Sequence, residues 1–275
     1  MGRKAQTTTQ AAQGSGPSRR TATGARGDWV VTAMLRLGFL LALLAVWTLA
    51  ARGAPPGLFA SPAEVARAGL RLSAEGRLWA ALGASLKIYL TGTGLAVLAG
   101  TALGAAMGMW RPLGRMLDIY VHALAATPRV AFIPLIIVAL GLGAGAKILI
   151  VFLGAVMPIV LNAFSGVRAA DPELVEMARA TGASQPRILA HVVLPGALPF
   201  VMTGIRIGAT IGLINTVVAE LYTAIGGLGG LLALYGSRFQ MAEYLAVVAL
   251  LALIGVVVTE GLRLAERRLL RWRDA

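Results

Sequence analysis

The sequence predicts an all-α polytopic membrane protein with six transmembrane helices. Three observations carry that reading. Hydrophobic residues make up 57% of the chain and charged ones only 13%, and the mean hydropathy is +0.77, whereas soluble domains hold about 25% charge. The apolar residues gather into runs near the ~20 residues that a helix needs to cross a hydrocarbon core; a membrane barrel would show short alternating segments instead. Between the fourth and fifth runs lies one long polar stretch, EMARATGASQPRILAHVVLPGALP, from Glu176 to Pro199.

The elements follow in order. Residues 1–28 are rich in Gly, Ser, Thr, Gln and Arg and cannot bury enough apolar surface to fold, so they read as a disordered tail. A cleaved signal peptide is the rival reading, but the apolar run that follows is longer than the ~7–15 residues of a signal core. The first span covers residues 29–51, with Arg36 near one end where it can snorkel. Pro55 and Pro56 break it. Ser61-Pro62-Ala63-Glu64 then reads as a capping box with proline at the first helical position. Glu64, Arg67, Arg71 and Glu75 recur at helical spacing, which predicts a short amphipathic helix on the outer surface.

The second span covers residues 85–110. Ala96, Gly100, Gly104 and Gly108 recur every fourth residue along it, leaving a groove that lets another helix approach closely. WRPLGR reads as a basic turn. The third span, 117–140, contains Pro128 and Pro134 and should be kinked or broken. GLGAGAK reads as a turn; it is no phosphate loop, because Lys147 is followed by Ile148 and not by Ser or Thr. The fourth span covers 148–167, with Pro158 and Asn162 inside. The fifth covers 196–222, where Gly204, Gly208 and Gly212 form a second four-residue repeat. IGGLGG reads as a flexible loop. The sixth span is 244–264, and residues 265–275 form a basic tail. The domains are thus 1–28, 29–84, a transport domain at 85–264, and 265–275.

Six spans put both termini on one side. About 15 Lys and Arg residues fall in the tails, the 110–117 turn and the polar stretch, against about six in the opposite loops. The richer side is cytoplasmic by the positive-inside rule. The net charge of +13 then reflects topology, and no patch interleaves base-stacking aromatics with basic residues as nucleic-acid binding would require. There is no cysteine, and the two histidines, His122 and His191, have no ligand cluster near them in sequence, so neither thiol chemistry nor a metal site is expected.

In the polar stretch, Asp171 and Pro172 read as an N-cap and first helical residue, with Glu173 at the positive end of the dipole. The helix should run to Ala180, with Leu174, Met177 and Ala178 on one face, and Gly182 should stop it. A second short helix, 185–193, should end at LPGALP, which turns the chain into the fifth span. A rigid helix–Gly–helix knob of this kind suits insertion into a groove on a partner; an ordinary solvated loop is the plainer alternative.

The spacing of Glu176, Ala178, Gly182, Val192 and Leu194-Pro195 resembles the EAA loop of permease subunits from binding-protein-dependent ABC importers. It departs from that motif at Met177, which stands for the first alanine. The resemblance runs from Leu78 to the C-terminus. LVEMARATGAS, HVVLPGALP, VVAE and ERRLLRW look like the subgroup that moves aliphatic sulfonates, nitrate and taurine, and TAIGGLGG resembles that subgroup's loop more loosely.

The resemblance implies the type I ABC importer permease fold in the cell inner membrane. It also implies a second permease chain, in a homodimer, two ATPase subunits that bind ATP and Mg, and an extracytoplasmic substrate-binding protein. This chain itself would carry no catalytic residue, cofactor or metal. The loop 171–195 would couple to the ATPases through Asp171, Glu173, Glu176, Ala178, Gly182, Leu194 and Pro195: Glu176 would pair with a basic residue, Ala178 would pack closely and Gly182 would make the bend.

Candidates for the pathway are Asn162, Arg206, Asn215, Thr216 and Glu220. Asn162, Asn215 and Thr216 either line a pore or hydrogen-bond between helices. Arg206 either pairs with a carboxylate or carbonyl, or meets substrate. Glu220 is either an interfacial carboxylate reached by water or part of an outer gate. The two glycine repeats are packing elements, one of which could serve a dimer. A permease for another small organic nutrient, an ion-gradient transporter and a membrane scaffold are the rival functions; the scaffold would not need the EAA spacing, and against the ion-gradient transporter there is no convincing repeat between the halves and there are few intramembrane carboxylates.

Overall fold

A computed structural model of the protein describes residues 23–53 and 59–271. Most of the expected tail therefore lies outside the described residues. The chain divides into two units, 1–53 and 54–275. The first holds α1 (Thr23–Gly53), whose apolar side chains, among them Leu35, Phe39 and Leu49, are exposed as a lipid-facing helix requires. It begins ahead of the expected residue 29, because once a helix is nucleated each added residue gains a hydrogen bond and the helix propagates into its flank.

The second unit opens with α2 (Pro62–Ala74). The capping box forms as expected: the Ser61 amide donates to Glu64 Oε2 at 2.7 Å and the Glu64 amide donates to Ser61 Oγ at 3.4 Å. The bond from the Ser61 amide, with that from its hydroxyl, holds the Glu64 carboxyl below its ordinary range. The apolar face of α2 is buried in protein, with Leu72 packed among Leu78, Leu232 and Val247, and Arg71 pairs with Glu243. Gly76, with φ of 74°, turns the chain straight into α3 (Arg77–Met109). That left-handed bend costs a glycine nothing, so the second span starts at residue 77 and no loop precedes it.

Trp110 alone separates α3 from α4 (Arg111–Ala126), so most of the expected basic turn is the first turn of a helix, opened by Pro112. The third span is broken as predicted. α4, a 3-10 turn at Arg129–Phe132 and α5 (Ile133–Leu140) bend by 83° at the Pro128 break. α6 (Ala144–Arg168) follows, and takes Lys147 into its first turn. Among the described residues, five helices are long and apolar enough to cross a membrane, or six if the bent pair is one span.

α6 is the centre of the unit. Val151, Ala155, Ile159, Val160 and Ala163 are fully buried along it. α3 lies against one side and α9 against another, each through its glycine repeat. A Cβ on Gly104 would stand 2.4 Å from Val160 O, and one on Gly208 would stand 2.8 Å from Ala155 O. Gly100 and Gly108 meet Ile159 and Val167, Gly204 meets Asn162, and Gly212 meets Thr93 in the same way. Both grooves are therefore filled within the chain, and neither is left for a dimer.

The remaining elements are α7 (Pro172–Ala180), α8 (Gln185–Ile188), α9 (Leu194–Thr223), α10 (Gly227–Ser237) and α11 (Met241–Leu269). Two expectations are corrected here. LPGALP does not end a helix: α8 passes through a π-turn at Leu189–Val193 directly into α9. A proline offers no amide to the carbonyl four residues back, and the widened turn, with Leu194 N–H bonded to Leu189 O, absorbs Pro195. IGGLGG is not a loose loop either; Gly227, Leu228, Gly229 and Gly230 are buried in the first turn of α10.

Candidate functional site

The elbow between α6 and α8 is built from its caps outward. Asp171 Oδ1 accepts from the Glu173 amide at 2.9 Å, satisfying one of the free donors of α7. At the other end Gly182 takes a φ of 79°. The Ala183 amide reaches Ala178 O at 3.0 Å and the Gly182 amide reaches Arg179 O at 2.9 Å, the paired bonds of a Schellman stop. α7 buries no residue: Leu174 and Met177 are 46% and 59% exposed, and Glu173, Glu176 and Arg179 are exposed around them. At nine residues α7 is too short and too polar to span a membrane, and it leaves these two apolar side chains exposed. Leu194 and Pro195 lie on α9 at its junction with the π-turn, so the elbow is in line with a 30-residue helix. Between the elbow and the ends of α3, α4 and α6 lies a cleft of about 810 Å³, lined among others by Arg111, Arg115, Arg168 and Arg179.

The pathway candidates fall at three other places. Asn162 donates to Pro158 O at 2.8 Å and Thr216 to Gly212 O at 2.9 Å. Both bonds stay within one helix, against the expectation of bonds between helices. Asn215 does meet a neighbour: its amide lies over Gly154 of α6, so closely that a Cβ there would be 1.6 Å from Nδ2. Arg206 Nη1 pairs with Glu266 of α11 at 3.1 Å, the carboxylate pairing that was the plainer of its two readings.

Glu220 is corrected. It is 1% exposed, not an interfacial group reached by water. Its carboxylate accepts from Ser85 Oγ at 2.8 and 2.9 Å and from the Gly229 amide at 2.9 Å. Ser85 Oγ in turn accepts from the Leu228 amide at 2.8 Å. Glu220 thereby caps the N-terminus of α10, where free amides and the helix dipole favour a negative charge. The positive charge of Lys147 acts on the same carboxylate, and its Nζ donates to Ile225 O. A Cβ at Gly227 would stand 2.0 Å from Glu220 Oε1, so the glycines serve this packing.

Sequence reasoning missed Arg129, Ser85 and, as a structural group, Lys147. Arg129 Nη1 donates to Gly154 O at 2.9 Å and Nη2 to Ala125 O at 3.1 Å. Gly154 lies four residues before Pro158, so its carbonyl has no donor within the helix. The signal was present: Arg129 directly follows Pro128 inside an apolar run. His122 and His191 remain apart, each bonded to a carbonyl on its own helix.

Residues 92–271 match the family described as binding-protein-dependent transport system inner membrane component. The taurine transport system permease protein TauC of Escherichia coli (strain K12) is 34% identical over 245 residues, covering 86% of this chain and 89% of the relative. A permease of the same organism named for aliphatic sulfonates transport, SsuC, is 37% identical over 236 residues, covering 85% and 89%. Among solved structures, an inward-facing conformation of the MetNI methionine ABC transporter matches with a TM-score of 0.59 at 21% identity, covering 68% of this chain and 93% of that one, which shows a common fold.

Proposed function

The chain belongs to the family of binding-protein-dependent transport system inner membrane components and is a multi-pass permease subunit of an ABC importer; we propose that it carries a small anionic solute of the sulfonate type and is driven through the elbow at α7. The elbow would lie on the cytoplasmic side with both termini. Two copies of the chain would enclose the pathway. Separate ATPase subunits, holding ATP and Mg, would each receive one α7 in a surface cleft, and an extracytoplasmic binding protein would deliver the solute.

The observation that carries the coupling part is the capped α7 itself. It presents exposed Leu174 and Met177 on a helix held at both ends by its caps, and beyond the fixed bend at Gly182 α8 runs through the π-turn into α9 without a break in helicity. A lever transmits displacement only if it is stiff, and each of these features removes a hinge. Glu176, beside the apolar spot, would meet a basic residue of the ATPase, and Ala178 would allow close approach. The solute class is supported by the two relatives named for taurine and aliphatic sulfonates at 34% and 37% identity.

Because the chain has no cysteine, Met177→Cys introduces a single thiol. In membranes that also hold the ATPase and binding-protein subunits, this thiol should crosslink to the ATPase, and ATP should change the yield. A correctly inserted Met177→Cys protein that never crosslinks to the ATPase would overturn the coupling role of α7.

A further inference from the structure

We propose that Arg129, with Asn215 beside it, forms an oxyanion subsite on the solute pathway. This rests on the reading above that the solute is an anion. Three observations lead to it. Arg129 stands at the break of the one discontinuous span among the described residues, where the segments 111–126 and 129–140 diverge by 83°. Broken helices in transporters place backbone and polar groups at the depth where solute crosses. The guanidinium is also a cation without a carboxylate partner among the described residues. Arg206 is paired with Glu266 and Lys147 acts on Glu220, so Arg129 differs from these cations on α6 and α9 in having no carboxylate beside it. An ionisable group inside a span is a site by default.

The third observation is the donor count. A guanidinium has five N–H groups, and the two carbonyls, Gly154 O and Ala125 O, engage one nitrogen each, leaving Nε buried without a partner. Gly154 also brings Asn215 to the same point, and that half-buried amide makes no hydrogen bond among the described residues. A planar cation and an amide donor both reach Gly154, four residues before Pro158. Their shared complement is a small oxyanion such as a sulfonate, which takes several donors at once. The carbonyl contacts orient the guanidinium and leave its charge uncompensated.

A structural role for Arg129, donating to the carbonyl that Pro158 orphans, makes a different prediction, and one substitution separates the two. Pro158→Ala gives residue 158 an amide that bonds Gly154 O within the helix, so the carbonyl no longer needs Arg129. The assay is ATP-driven uptake of labelled taurine and, separately, ethanesulfonate by proteoliposomes holding the permease, its ATPase and its binding protein. Arg129→Gln should cut uptake at least about tenfold, the worth of one charge-assisted hydrogen bond, while assembly and basal ATPase activity persist. Arg129→Lys should fall below wild type, since it loses the fork, but keep clearly more uptake than Arg129→Gln, since it keeps the charge.

The Arg129→Gln loss should be equally large in the Pro158→Ala background, measured against Pro158→Ala alone. Restoration of uptake by Pro158→Ala would show that the arginine only satisfies a carbonyl, and would overturn the subsite. Should Pro158→Ala itself be inactive, equal losses in Arg129→Lys and Arg129→Gln would overturn it on their own. Uptake of neither probe by the wild-type complex removes the anionic-solute reading and the subsite with it. Normal uptake by Arg129→Gln leaves that reading standing and removes only the subsite.

Discussion

A carboxylate within a membrane span is expensive unless something neutralises it or donates to it. Glu220 has both kinds of help. Ser85 and the Gly229 amide donate to it, and Lys147 supplies a positive charge nearby. The same accounting predicts what its loss does. Glu220→Ala strips the cap from α10 and leaves Lys147 buried without its counter-charge. Leaving the buried Ser85 and Gly229 donors unpaired costs about 1–3 kcal/mol each. Thermal unfolding of the purified protein in detergent should show a large loss for Glu220→Ala, and a smaller one for Glu220→Ala combined with Lys147→Met, because the second change removes the stranded charge. If the double variant were less stable than the single by the full cost of a separate lesion, the two groups would be energetically independent. None of this was legible in the chain. Ser85, Lys147 and Glu220 are scattered over more than a hundred positions, and only the folded helix packing brings them together.

Elements were read more securely than side-chain partners, because caps and periodicity are local. The Ser61–Glu64 box, the Asp171 cap, the Gly182 stop and the Pro128 break each depend on neighbours within a few residues, and each stands where its sequence signal placed it. Errors cluster where a long-range contact overrides local habit. IGGLGG has the composition of a flexible loop, yet the carboxylate of Glu220 holds it as the first turn of α10. LPGALP has the composition of a break, yet a π-turn carries the helix through it. The Gly182 stop yields a prediction at this scale. Nothing lies within 4 Å of a Cβ there, so only the positive φ is at stake. Gly182→Asn should be tolerated, since asparagine enters the left-handed region readily. Gly182→Val should cost about 1–2 kcal/mol locally and loosen the stop of α7. Uptake per ATP hydrolysed should then fall for valine and hold for asparagine. Equal losses would mean that the position is sensed by a partner surface and not by its backbone.

At the scale of the 54–275 unit, two rigid bodies of contact meet on α6. The glycine grooves of α3 and α9 clamp it at backbone distance, and interiors packed this closely move as blocks and do not flex. α9 belongs to that block, and it also continues into the π-turn and α8. A push at the elbow therefore has a helical route to the region of Pro158, Asn215 and Arg129, with one weak point, the π-turn at Leu189–Val193. Single π-turns inside α-helices are rare and recur at functional sites. If the route works by stiffness, softening that point should disconnect the two ends without damaging either. Inserting two glycines after Ala190 should leave membrane insertion, assembly with the ATPase and crosslinking from Met177→Cys intact, since α7 and its caps are untouched. ATP-driven solute uptake should fall at least about tenfold, because each glycine adds backbone freedom where the lever must resist bending. ATPase activity should become insensitive to the loaded binding protein, the signature of a severed connection as opposed to a dead engine. Full uptake with the insertion in place would mean that force enters the bundle elsewhere, through the α6 end of the elbow, and α9 would lose its role as the transmitting helix.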